Sequence, residues 1–232
     1  MVTLRPAAER GRTQIDWLDS RHSFSFGDFQ DPRQMGFRTL RVINDDRVAP
    51  AAGFGMHGHR DMEIVTYVLA GALEHRDSLG TGEVIRRGDV QRMTAGTGIR
   101  HSEFNPSQTE PVHFLQVWIF PHEGGLQPAY EQKHFPDADK RGRLRLIASP
   151  DARDGALEIH QDVEIFASVL GSSDRLTYAL REGRSTWLQV AAGGVRLNGH
   201  PMVEGDGAAV VDEGELTVVS DGGAEFLLFD LA

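Results

Sequence analysis

Short apolar runs separated by turn residues set the pattern of this chain. The runs Phe37–Ile43, Ile64–Leu69, Val112–Phe120, Leu157–Val169, Trp187–Val190, Leu216–Val219 and Phe226–Leu231 are rich in apolar and β-branched residues. Most have the length of a strand. Gly80-Thr-Gly82, Gly88-Asp89, Gly193-Gly194, Asn198-Gly199 and Asp221-Gly-Gly223 read as turns between strands. No long stretch follows the helical period of 3.6. Val112–Phe120 is apolar at odd and even positions alike, as a central strand would be. The pattern predicts an all-β chain built from sandwiches or barrels.

A weak internal repeat refines this. Val68-Leu-Ala-Gly-Ala-Leu73 matches Val190-Ala-Ala-Gly-Gly-Val195, and each copy is followed by a Gly-Asp pair, at Gly88-Asp89 and Gly205-Asp206. The copies lie about half a chain apart, as two small barrels of one kind would place them. The polar stretch Glu131–Arg143 has the composition of a linker. Residues 1–135 are therefore expected to form one domain and residues 136–232 a second.

Charge narrows the function classes. The 232 residues carry 24 Lys+Arg against 34 Asp+Glu, a formal charge of −10. Basic residues are scattered, and the densest group, Lys140, Arg141, Arg143 and Arg145, reads as a solvated face. Glu204–Glu225 is acidic with no Lys or Arg. Direct nucleic-acid binding is not expected. No apolar run reaches the length of a membrane span, and the N-terminal residues lack a signal-peptide core, so a soluble, cytoplasmic protein is expected. There is no cysteine, which removes disulfides, thiolate metal sites and a thiol nucleophile. Any metal must be held by His, Asp or Glu.

Ten histidines are present, and some are spaced for that purpose. In Gly55-Met-His57-Gly-His59-Arg-Asp-Met-Glu63, His57 and His59 are two residues apart and would share one face of a strand. Glu63 follows as a third candidate partner. In Gly96-Thr-Gly98-Ile-Arg-His101-Ser-Glu103-Phe-Asn105, His101 and Glu103 repeat the spacing. Two such pairs on facing strands would bring three imidazoles and a carboxylate together and leave open positions on a divalent metal, the logic of a non-haem iron site. His75, His113 and His122 read as packing or surface residues, His134 and His160 as linker and surface positions, and His22 as an edge-packing residue in an aromatic segment. Phe54, Met56, Met93, Phe104, Phe114 and Trp118 are candidates for a flat aromatic pocket, with core packing the expectation for each alone.

The two histidine stretches resemble the two cupin motifs, with Gly71 after the first and Gly88, Gly96, Gly98, His101 and Asn105 in the second; Gly96 stands where the general motif has proline. His22-Ser-Phe-Ser-Phe26, Leu40-Arg-Val-Ile-Asn-Asp-Asp46, Glu63-Ile-Val-Thr-Tyr-Val-Leu69, Glu74-His-Arg-Asp-Ser78 and Thr94-Ala-Gly-Thr-Gly-Ile-Arg-His-Ser-Glu103 are similar to the pirin family of cupins. Ser149-Pro-Asp-Ala-Arg-Asp-Gly155 and Leu227-Leu-Phe-Asp-Leu231 extend the likeness along the chain.

The resemblance implies a bicupin, two jelly-roll-like β-barrels packed face to face. It implies metal ligands at His57, His59, His101 and Glu103, with Fe(II) as the ion and zinc, nickel, cobalt, manganese or copper as substitutes. The activity implied is that of quercetin 2,3-dioxygenases: oxygen-dependent cleavage of a flavonol with release of carbon monoxide. Glu103 is then the candidate base, with Glu63 in reserve. Residues 176–232 hold a single histidine, His200, so the C-terminal barrel is expected to lack a metal. The alternative implied by the same family is a non-enzymatic co-regulator that binds a protein partner and responds to the redox state of its metal.

Overall fold

Strands make up most of the computed structural model, which describes residues Met1–Ala232. It forms two cupin-type units of antiparallel strands, and no helix is long and apolar enough to cross a membrane. One unit comprises Gly11–His134 with Leu157–Gln161; the other comprises Met1–Arg10, Phe135–Ala156 and Asp162–Ala232. Strand β1 (Val2–Arg5) thus belongs with the later part of the chain.

The unit formed by Gly11–His134 and Leu157–Gln161 holds β2 (Gly11–Ile15), β3 (Leu18–His22), β4 (Leu40–Val48), β5 (Gly53–His59), β6 (Glu63–Ala70), β7 (Ala72–Asp77), β8 (Gly82–Arg86), β9 (Asp89–Thr94), β10 (Ile99–Phe104), β11 (Val112–Ile119) and β12 (Ala129–His134). A seven-stranded sheet runs β12-β9-β6-β11-β4-β3-β2, and a four-stranded sheet runs β5-β10-β7-β8. The sheets share a core: Leu73 and Ile85 of the smaller pack with Leu18, Val48, Val68, Val112 and Phe114 of the larger. β11 is central, paired with β4 on one side and β6 on the other, and six of its eight residues are buried.

Some expected boundaries move, for local reasons. Phe37 and Leu40 exchange backbone hydrogen bonds of 2.8 and 2.9 Å across a turn in which Arg38 adopts φ 55°, so the strand begins at Leu40. Glu131–His134 is not a linker but part of β12, paired with β9. The run Leu157–Val169 is broken after β14 (Leu157–Glu158), where the His160 amide leaves the ladder and donates to the Glu63 carboxylate at 3.2 Å.

The other unit adds β13 (Arg145–Ser149), β15 (Val163–Leu170), β16 (Arg175–Ala179), β17 (Ser185–Leu197), β18 (His200–Val203), β19 (Gly207–Val210) and β20 (Glu215–Leu231). Its main ladder runs β1-β19-β17-β20-β15-β13. The interior is apolar, with Leu188, Val190, Val195, Met202, Phe226 and Leu228 in one cluster. Gly193-Gly194 and Asp221-Gly-Gly223 are not turns: they lie inside β17 and β20, which pair along their length and shift register near Gly193. Gly193 (φ 71°) packs so close that a side chain there would meet the Gly223 carbonyl, so the glycines bend two strands together. Lys140 is also not on a solvated face. It is fully buried, with its Nζ 3.1 Å from Asp137 and 3.8 Å from Glu225.

Candidate metal centre

β5 and β10 are adjacent, and their pairing places His57 opposite His101 and His59 opposite Ile99. β5 carries one extra residue between Phe54 and His57, a bulge against His101–Glu103, which re-aims side chains locally. On β10 the odd positions Ile99, His101 and Glu103 are buried and the even ones face outward. At the start of β10, Gly96 (φ 46°) accepts the Asp61 amide at 2.9 Å and leaves no room for a side chain beside the Leu126 carbonyl. At its end, Asn105 Nδ2 donates to the carbonyls of Val48, Ala49 and Glu110 at 3.2, 3.2 and 2.8 Å. Both ends of the strand are therefore fixed.

The donor nitrogens of His57, His59 and His101 lie within 4.8 Å of one another. Burial, with the neighbouring histidines, pushes His59 down to about 4 and His101 down to about 2, so both are neutral at pH 7. Their tautomers follow from their partners. His57 Nδ1 lies 2.8 Å from the Gly55 carbonyl, which can only accept, so Nε2 carries the lone pair. His75 Nε2 lies 3.0 Å from Asp77 Oδ2 and must donate to it. The lone pair of His75 Nδ1 then faces His101 Nδ1 at 3.5 Å, a long contact that His101 satisfies by donating. His101 Nε2 is thereby left as an acceptor. It stands 3.1 Å from His57 Nε2, so two lone pairs face each other across a gap that a cation would reconcile. This donor set fits a divalent metal.

Glu103 groups with His75 and His101 rather than with His57 and His59. Burial pushes its carboxyl up to about 7, opposed by Gln116. Gln116 Nε2 donates to both Glu103 oxygens at 3.0 Å, and its own oxygen accepts from Thr66 Oγ1 at 2.7 Å. That second bond fixes the amide so that its donors face Glu103. Glu63 is elsewhere: it is fully buried, takes the His160 amide, and is absent from the walls of the pocket beside the histidines.

This pocket opens between the two sheets of the unit. His57, His59, Glu103 and Gln116 line it together with Phe26, Phe54 and Trp118, and no Lys or Arg does. Trp118 packs edge-on against His59 at 4.9 Å. Of the other proposed aromatic-pocket residues, Met93 and Phe114 are in the core, and Met56 and Phe104 are exposed. His22 is a buried wall residue. Gln116 and the His75–Asp77 pair, with His75 expected only to pack or face the surface, join the site here. The latter had a signal, since it is a third pair at two-residue spacing.

Comparison with known proteins completes the description. The pirin family model matches residues 4–119, and the model of the quercetinase C-terminal cupin domain matches residues 146–231. A quercetin 2,3-dioxygenase of Escherichia coli is 48% identical over 231 residues, covering 100% of this chain and 99% of the relative. A pirin-like protein of Caulobacter vibrioides is 40% identical over 233 residues, with both chains fully covered. A crystal structure of the Escherichia coli pirin YhhW with nickel(II) superposes with a TM-score of 0.95 at 48% identity, covering 100% of this chain and 99% of that one.

Proposed function

The chain belongs to the pirin family, and on that premise we propose that it is a metal-dependent dioxygenase cleaving flavonols such as quercetin. The observation that carries this reading is the pair of facing acceptor nitrogens on His57 and His101, with His59 beside them, opening into a pocket with aromatic walls. We assign the ion to His57, His59, His101 and Glu103 and name it as Fe(II). Zinc, nickel, cobalt, manganese or copper would take the same imidazole and carboxylate donors, and the nickel-bound relative supports a site of this breadth. The C-terminal unit, apolar inside, is assigned none.

A divalent ion held by these residues would lower the pKa of a hydroxyl bound to it. The chain's own residues supply the rest. Phe26, Phe54 and Trp118 hold the flat ring system and keep water from it. Glu103, buried and held by Gln116, takes the proton of the flavonol 3-hydroxyl as general base. Gln116 holds both carboxylate oxygens and so fixes where that proton arrives. Asp77 and His75 hold His101 in the tautomer that binds a cation. Glu63, occupied by His160, positions the Leu157–Gln161 segment instead of acting as base. The overall change consumes one flavonol and one dioxygen and yields a ring-opened ester and carbon monoxide, in the cytoplasm and without nucleic acid.

The test is product analysis with quercetin and the Fe(II)-loaded protein. A ring-opened ester gaining the mass of dioxygen and losing that of carbon monoxide supports the reading. Bound but unconsumed quercetin contradicts it and favours the protein-binding co-regulator.

A further inference from the structure

The pocket has a second polar feature, on the sheet that does not carry His57, His59 and His101. Inward-facing positions of a sheet that covers a core are normally apolar, yet β3 and β4 turn Ser20, His22, Asn44 and Asp46 into this pocket. His22 and Asn44 find partners, with Thr13 of β2 as the third member. His22 Nδ1 donates to Asn44 Oδ1 at 2.7 Å, and Thr13 Oγ1 donates to His22 Nε2 at 2.9 Å. Asp46 is different. It is 4% exposed, and its Oδ1 is buried with no hydrogen-bond partner. Ser20, opposite it on β3, supplies a hydrogen bond to its carboxyl. The neighbour Asp45 points to the other face and pairs there with the His113 imidazole at 2.7 Å and the Arg47 guanidinium at 3.2 Å. Asp46 has no such partner, and its cross-strand neighbour on β11 is Phe114.

A buried carboxyl oxygen without a partner is costly. It persists where something that enters the site completes it. A hydroxyl completes this oxygen in either protonation state, donating to the carboxylate or accepting from the carboxylic acid, and no Lys or Arg lines the pocket to do so instead. We propose that Asp46, with Ser20, receives a hydroxyl of the substrate other than the 3-hydroxyl and so selects polyhydroxylated flavonols. The inference rests on the flavonol reading above. It adds a specificity-determining residue on the strand pair β3–β4, remote in sequence from the histidine motifs.

The test is binding without turnover. Metal-loaded protein is titrated anaerobically with quercetin and with 3-hydroxyflavone, which keeps only the 3-hydroxyl, and Kd is read from ligand absorbance. Wild type should bind quercetin at least about tenfold more tightly, since a site built to hydrogen-bond a hydroxyl rejects the analogue lacking it. Asp46→Ala should remove most of that preference by weakening quercetin alone. Asp46→Asn, whose amide oxygen still accepts, should retain part of it. Metal content measured beside each titration confirms that the variants keep the histidine site. Equal wild-type affinity for the two ligands overturns the proposal without any variant, as does a preference that survives Asp46→Ala or a loss shared by both ligands. If the preference behaves as expected but no oxygen is consumed in air, the dioxygenase reading fails and this one stands.

Discussion

In the proposed site, His101 depends on residues that would not touch the ion. Asp77 orients His75 and His75 orients His101, so His75→Ala should lower metal affinity about 10- to 100-fold, as loss of such a support does, measured by chelator competition. Glu103→Ala should weaken metal retention and abolish turnover. Glu103→Gln should keep more metal yet lose turnover, because an amide oxygen can coordinate but is too weak a base. Glu63→Ala should leave the metal in place; if instead it empties the site while Glu103→Ala does not, the carboxylate assignment is reversed. Asp46 makes a pH prediction. Burial raises its pKa from 3.8 to about 7, so the folded state holds a proton that the unfolded state has released. The stability tied to this group is full below pH about 4 and lost as pH rises through about 7. In thermal melts of metal-free protein, Asp46→Asn should gain on wild type across that range and then level off, by a few kcal/mol at most; a constant difference would contradict the assignment. The two-residue spacing made His57, His59, His101 and Glu103 legible as candidates. Gln116 and Asp46 were not, because their significance lies in partners on other strands.

Between residue and molecule, the element that matters most is β10, pinned by Gly96 before it and Asn105 after it. Gly96→Ala would force a side chain into a left-handed conformation and into the Leu126 carbonyl. We expect a loss of at least about 2 kcal/mol of stability, with weaker metal binding because the turn sets where His101 begins; urea unfolding and metal titration together check it. Most strands of this unit could be read from alternation and turn residues. The bulge in β5 could not, because a bulge is a property of a pairing. For the same reason β17 and β20 were misread as several short strands: glycine pairs that usually end strands here let two long ones bend together. The broken run at Ile159–Asp162 likewise reflects a hydrogen bond to Glu63 that no local pattern announces.

Across the whole molecule, the candidate ligand clusters are confined to the unit formed by Gly11–His134 and Leu157–Gln161. The other unit fills its interior with leucine, valine and phenylalanine. The half-chain repeat suggested two related units, but it could not show that Met1–Arg10 pairs with the later one, with Val2 opposite Val210. Elemental analysis of the purified protein should find about one equivalent of metal per chain; two would place an ion in the apolar unit. The most direct test of the central claim is a metal titration of stripped protein with quercetin in excess, following oxygen uptake and carbon monoxide release together. Both rates should rise in step with Fe(II), with one carbon monoxide per oxygen, and stop rising at one equivalent. Turnover by the stripped protein, or oxygen uptake without carbon monoxide, would contradict it.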